Sequence, residues 1–249
     1  MNNHKAGQIV SALQALAKSI AKKEYFPAQS PEASRLIVSD PFAFLIACCL
    51  DRGTKAEIIW SIPYDMESKL GHFDPEKIGQ MSAADIRALL ESLPHRPRYM
   101  NDAPKTILDL TKIVLEECGG CASRVWEGRS AFEVQRKLMS IQGVGPGIAN
   151  MTTLLIEKAF PYRFKEEDRR RMDIKPDVHT MRVLYRLGAS RAETEKEAIE
   201  AARSLNPACP GDLDGPLWYV GRTWCHSSKP DCGDCPLSGS CERYGVERR

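Results

Sequence analysis

The chain has 249 residues, and 35 Lys and Arg against 33 Asp and Glu leave a net charge of only +2, so binding to nucleic acid would have to come from local patches. That length suffices for one large domain or two small ones with a real core. No apolar run is long enough to span a membrane, and residues 1–8 lead into an amphipathic pattern (Ile9, Leu13, Leu16, Ile20) with no apolar signal region, so a soluble protein of a reducing, cytoplasmic compartment is expected.

The elements are helical nearly throughout. Asp40 and Pro41 form an N-cap with proline at the first helical position, and the apolar run Phe42, Leu45, Ile46 and Cys49 follows until Gly53 stops it. Ser82 and Asp85 make a capping-box start for Ile86, Leu89 and Leu90. Ile107, Leu108, Ile113, Val114 and Leu115 mark a helix ending at Gly119-Gly120. Ser130 and Glu133 open another through Val134, Leu138 and Ile141. Thr194 and Glu197 open one more, with Ile199, Ala202 and Leu205 on one face. No convincing period-2 stretch interrupts this series, so the fold class is all-α.

Between Leu138 and Met151, two helical patterns meet across the short turn Gly143-Val144-Gly145-Pro146-Gly147. Gly143 and Gly145 are read as permitting positive φ, and Pro146 opens the second helix without wasting a donor. Such a turn directs backbone N–H groups and a helix start outward, where a phosphate can sit. An ordinary corner between two helices accounts for the same residues about as well. The mixed-charge segment from Phe164 to Met172 has almost nothing to bury and reads as a mobile insertion.

In Lys175-Pro176-Asp177-Val178-His179, the proline forces an extended entry and Asp177 falls where an N-cap belongs. The helix start favours the charged form of a carboxylate there. A fixed carboxylate of this kind activates water or stabilises an oxocarbenium ion. Capping by itself is the commoner reason for an Asp at that place, and His179 is better read as packed than as catalytic.

Cys225, Cys232, Cys235 and Cys241 follow the spacing C-x6-C-x2-C-x5-C. Four thiolates in one polar loop close a metal site or hold an iron–sulfur cube. One tight pair flanked by two distant singles suits a chain wrapped around one larger cluster.

Taken together, a Gly-x-Gly hairpin, an Asp-x-His helix start and this cysteine spacing resemble the helix–hairpin–helix (HhH-GPD) DNA glycosylases of the endonuclease III and adenine-glycosylase group. The resemblance covers about residues 40–241. It implies a base-excision enzyme with two helical domains, here 38–160 as a six-helix barrel ending in the hairpin, and 1–37 with 161–249 as the cluster domain. It implies a [4Fe–4S] cluster on the four cysteines, with double-stranded DNA containing a base lesion as partner and a monomer as the working unit. Gly143, Val144, Gly145 and Gly147 become DNA-binding residues, Asp177 the catalytic carboxylate, and Lys229 a backbone contact. Arg96, Arg98, Arg169, Arg170, Arg171, Arg182 and Arg222 are further candidates for phosphate contacts. A bacterial or archaeal protein of this kind would sit with the nucleoid.

Two departures from the family pattern bear on chemistry. Bifunctional relatives carry a lysine in the second hairpin helix, whose amine forms a Schiff base. Here that position is Gly147, and Lys158 lies three turns further on. A monofunctional glycosylase that leaves an abasic site is therefore expected. Where many relatives have a glutamine that fills the gap left by the flipped base, this chain has Leu50-Asp51-Arg52-Gly53-Thr54. Arg52 is a candidate for that wedge role, and Asp51 for the pocket. The segment between hairpin and Asp177 is also longer than the family pattern.

Cys118-Gly-Gly-Cys121 has no partner pair nearby and no βαβ context for a redox or metal motif. Cys48, Cys49 and Cys209 read as packing residues, and Trp218, Tyr219 and Trp224 as core beside the cluster loop. Two other readings stand beside the glycosylase: a non-catalytic iron–sulfur DNA-binding protein, and a metal-stabilised helical module with no nucleic acid.

Overall fold

The structure, a computed structural model, describes residues 3–246. Its chain separates into two compact units, one from Lys22 to Phe164 and one from the segments up to Ala21 and from Lys165 onward. Among the described residues the regular structure is helical, with no strand.

In chain order, α1 (Asn3–Ser19) belongs to the second-named unit, and the short α2 (Lys22–Tyr25) begins the first. There α3 (Pro31–Ser39) turns into α4 (Pro41–Leu50) at Asp40. The Asp40 Oδ1 accepts from the backbone N–H of Phe42 at 2.7 Å and of Ala43 at 3.1 Å. These bonds satisfy two of the donors a helix start leaves open. Every residue from Phe42 to Leu50 is buried, so α4 is the centre of its unit and not an amphipathic surface helix. Around it lie α5 (Ala56–Ile59), α6 (Ile62–Leu70), α7 (Pro75–Gly79), α8 (Ala83–Ser92) and α9 (Ala103–Lys112). The capping boxes expected at Ser82 and Ser130 are both formed, the latter opening α10 (Ala131–Leu138) ahead of α11 (Pro146–Ala159). An aromatic group of Phe26, Phe44, Trp60, Trp126 and Phe160 packs mostly edge to face, with centroids 5.1–6.5 Å apart.

The other unit holds α12 (Glu166–Arg169), α13 (Val178–Arg186), α14 (Glu195–Leu205) and α15 (Asp214–Thr223), with α14 and α15 packed against α1 and α13 against both of them. Its core joins Ile9 and Leu13 to Ile174, Val183, Leu184, Leu217 and Val220, with Cys225, Cys235 and Cys241 packed on the edge. Among the described residues no single helix is long and apolar enough to cross a membrane.

Two expectations change. The division falls at 21/22 and 164/165 rather than at 37/38 and 160/161. The reason is α3, whose Ala33 and Ile37 are buried in contact with α4 and α6. The segment from Phe164 to Met172 is not a loop with nothing to bury. Phe164, Arg169 and Met172 are all buried, and Arg169 makes a two-pronged ion pair to Asp212 at 2.7 and 2.9 Å. The Met172 carbonyl also accepts from Gly211 N–H at 2.8 Å, so the insertion is fastened to the entry of α15.

Candidate functional site

The hairpin between α10 and α11 is anchored by Ile141 and Val144, both buried. Gly143 has φ +81°, the left-handed region where a side chain is strained. Gly145 differs from the sequence expectation. Its φ of −100° and ψ of 179° are extended backbone open to any residue, and a Cβ there would meet nothing within 4 Å. Its contribution is to leave the start of α11 uncovered.

Gln142 is held from α9. Its N–H donates to Asp109 at 3.0 Å, its carbonyl accepts from the Thr106 hydroxyl at 2.7 Å, and its amide reaches Asp102 at 3.4 Å. Asp102 also pairs with Arg52 at 3.2 Å. The Arg52 guanidinium lies against Gly143 and 4.8 Å from the centre of the Tyr99 ring, whose other neighbour is Arg98 at 5.9 Å. Arg52 is thus partnered within the protein, not extended as a wedge. Tyr99 is 43 % exposed, and the sequence reading passed over it. The available signal was the run His95-Arg-Pro-Arg-Tyr99, an aromatic among cations outside any helical period.

In the other unit Asp177 caps α13. Its Oδ1 accepts from His179 N–H at 2.8 Å and Thr180 N–H at 2.9 Å, while the Thr180 hydroxyl accepts from Asp177 N–H at 2.9 Å. Oδ2 takes no hydrogen bond from the described residues. One oxygen is therefore fixed by the helix start. Val178, next in the chain, is 62 % exposed. His179 is packed, with its ring edge-on to Trp218 at 6.4 Å and Nδ1 3.2 Å from Arg182.

Arg182 and Arg186 are buried and serve the protein itself, so Arg182, like Arg169, is unavailable for DNA. Arg182 donates to the carbonyls of Cys225 (2.7 Å), Val178 (2.9 Å) and Gly221 (2.8 Å). Arg186 donates to the carbonyls of His226 (2.6 Å) and Ser227 (2.8 Å), and lies 3.4 Å from Cys225 Sγ. Arg96, Arg98, Arg170 and Arg171 are exposed, Arg222 is half-buried over the Trp218 ring, and Lys229 is exposed between Cys225 and Cys232.

Cys225, Cys232, Cys235 and Cys241 all line one solvent-open pocket, beside Arg186 and Trp224. Among the described residues no three His, Cys, Asp or Glu side chains converge tightly enough for a single metal ion. One tetrahedral zinc would draw its sulfurs to within roughly 3.8 Å of one another. Burial raises the Cys235 and Cys241 thiols above their usual range, and the neighbouring cysteines add to it. Cys225, Cys232, Cys235 and Cys241 thus supply four sulfur donors around one pocket.

No protein-family model matches the chain. It is 25 % identical over 233 residues to endonuclease III of Thermotoga maritima, covering 93 % of each chain. It is 29 % identical over 133 residues to an adenine DNA glycosylase of Arabidopsis thaliana, a match spanning 50 % of this chain and 19 % of that protein. Among solved structures it superimposes on a thermostable thymine-DNA glycosylase with TM-score 0.65 and 20 % identity, covering 97 % of both chains. A trapped endonuclease III–DNA covalent intermediate matches with TM-score 0.64 and 19 % identity, covering 96 % of both. At these identities the structures speak to the fold.

Proposed function

We propose that this chain, a relative of the helix–hairpin–helix DNA glycosylases of the endonuclease III kind, excises a damaged or modified base from double-stranded DNA and is monofunctional. A base within a duplex cannot present its glycosidic bond, so the nucleotide is flipped out before reaction. As the bond to the base breaks, positive charge develops on the sugar. The Asp177 carboxylate stabilises that charge, and water adds to leave an abasic site. The observation that carries this reading is the asymmetry of Asp177: Oδ1 is held by two backbone N–H groups, and Oδ2 takes no hydrogen bond from the described residues. A cap alone uses Oδ1.

Gly143, Val144, Gly145 and Gly147 are assigned the phosphate contact through backbone N–H groups, which positions the strand without reading its sequence. Cys225, Cys232, Cys235 and Cys241 would hold a [4Fe–4S] cluster, which supplies folding energy to a loop with little core of its own. Lys229, exposed within that loop, is assigned a backbone contact. The protein is proposed to act as a monomer.

The test is single-turnover base release on duplexes that each carry one altered base, with products split with and without alkali. Release that needs alkali for strand cleavage and vanishes in Asp177→Asn supports the proposal and names the base. Cleavage without alkali overturns the monofunctional assignment. Binding without release from any lesion would leave a non-catalytic DNA-binding protein.

A further inference from the structure

The second cysteine pair lies outside everything assigned above. After α9 the chain continues as a π-helical turn, Ile113–Glu117, a rare geometry that tends to accompany functional sites. Cys118 follows and is buried, while Cys121 is exposed. Between them Gly119 and Gly120 both have positive φ, at 59° and 78°. The Cys121 N–H donates to the Cys118 carbonyl at 3.2 Å, closing a four-residue turn. Such a turn keeps its end Cα atoms within about 7 Å, and disulfides span roughly 4.4–6.8 Å between Cα atoms. Both cysteines are free thiols.

The surroundings of Cys121 activate it. Its Sγ lies 3.3 Å from the Ser123 hydroxyl. The Arg124 guanidinium lies over the turn, where a Cβ on Gly119 would sit 3.2 Å from Nη1. The hydroxyl, then the local N–H groups and the Arg124 charge, bring the Cys121 thiol below its ordinary range. An exposed, electropositive thiol beside a second one has the layout of a reactive cysteine and its resolving partner. By contrast, burial pushes Cys49 up to about 12 and Cys209 to about 11.

We propose that Cys121 is a site of reversible oxidation by hydroperoxides, with Cys118 as the resolving thiol and a disulfide across Gly119-Gly120 as the product. In the first step Cys121 sulfur attacks a peroxide oxygen. The S–O bond forms, the O–O bond breaks, and the leaving alkoxide or hydroxide takes the thiol proton. Sulfur is oxidised to the sulfenic acid and the peroxide is reduced. In the second step Cys118 sulfur attacks the sulfenic sulfur, the S–S bond forms, and water leaves with the Cys118 proton. A thiol reductant reverses the sequence.

The experiment treats the full-length protein with one equivalent of hydrogen peroxide, alkylates the remaining thiols, and maps tryptic peptides. Residues 113–124 fall in one peptide that holds both cysteines. The expected result is a mass two hydrogens lower, with no alkylator taken up and both effects reversed by dithiothreitol. In Cys118→Ser the reaction should stop at a sulfenic acid on Cys121 that dimedone traps. Because that position is buried, exposed Cys121→Ser is the second variant, and it should leave Cys118 reduced. Before oxidation, Cys121 should alkylate faster at pH 7 than glutathione does. Peptide 113–124 remaining reduced while other cysteines oxidise would overturn the proposal, as would Cys118 oxidation in Cys121→Ser. An alkylation rate no faster than that of glutathione would also overturn it.

Discussion

The guanidinium of Arg52 fills the space that a side chain on Gly143 would need, while pairing with Asp102 at 3.2 Å. The hairpin and the loop after α4 are thereby locked together, and Gly143 is constrained twice, by its φ of +81° and by Arg52. Gly143→Ala should cost about 1–2 kcal/mol in backbone strain and should also expel Arg52. Affinity for duplex DNA, read by fluorescence anisotropy, should fall about tenfold, roughly 1.4 kcal/mol. The loss should be smaller in an Arg52→Ala background, with a coupling of about 1 kcal/mol in the double-mutant cycle. Full additivity would mean that the two residues act separately. Arg52→Met should also flatten the salt dependence of binding by about 0.9 in log–log slope if the guanidinium reaches a phosphate.

Asp177→Asn separates capping from chemistry. Asparagine caps as well as aspartate, so the Oδ1 bonds to His179 and Thr180 should persist and thermal stability should shift little. Base release should nevertheless fall by about a thousandfold, roughly 4 kcal/mol of transition-state stabilisation. Asp177→Ala should lose the activity and also about 1 kcal/mol of stability with the cap. Equal activity in wild type and Asp177→Asn would reduce this residue to a cap.

What the sequence disclosed and what it hid follow from the range of each interaction. Asp40, Ser82, Ser130, Asp177 and Thr194 all cap helices as expected, because a cap acts within three residues. Arg169 was misplaced because its partner Asp212 lies 43 positions away, and charge alone made the segment look solvated. Arg182 was taken for a phosphate contact, but its carbonyl acceptors at Gly221 and Cys225 are 39 and 43 residues distant. Tyr99 has only a weak local signal, an aromatic among the cations of 95–99, and its position between Arg52 and Arg98 appears once the chain is folded. Gly145 was assigned the conformational freedom that only Gly143 uses.

Arg186 ties the helix that begins at Asp177 to the loop of Cys225. Arg186→Met would remove donors from the His226 and Ser227 carbonyls and the neighbour of Cys225 Sγ. His226 and Ser227 are exposed, so water can take over their carbonyls, and losing hydrogen bonds from a charged donor costs about 1.5–3 kcal/mol of stability in all. Iron and sulfide per chain and visible absorbance should fall with it. Unchanged iron content and melting temperature would show that the loop holds its shape without this side chain.

At Gly221, α15 comes close to the start of α13. A Cβ there would lie 2.6 Å from the His179 Cβ and 3.0 Å from its Cα, and backbone cannot swing aside as a flexible side chain does. Gly221→Ala should therefore cost about 1–3 kcal/mol by overpacking. It should also lower single-turnover release, because the displaced residue is two positions from Asp177. DNA affinity, which the proposal assigns to the other unit's hairpin, should change little. A stable variant with full activity would mean that the two helices separate without moving the carboxylate.

The absence of a lysine at 147 gives the most direct test of the reaction type. Lys158, on the same helix, has its ammonium 5.6 Å from the Tyr25 ring centre and belongs to the helix's last turn. Gly147 lies in the first turn, just after Pro146. If the proposed monofunctional reading is right, borohydride should trap no wild-type protein on DNA containing an abasic site. Gly147→Lys puts an amine there. Replacing a helical glycine gains about 1 kcal/mol, offset in part by a cation near a helix start at roughly 0.3–1 kcal/mol. The variant should form a borohydride-stable adduct and cut the strand without alkali. Trapping of wild type at the variant's level would show that another amine serves, and the monofunctional assignment would fall.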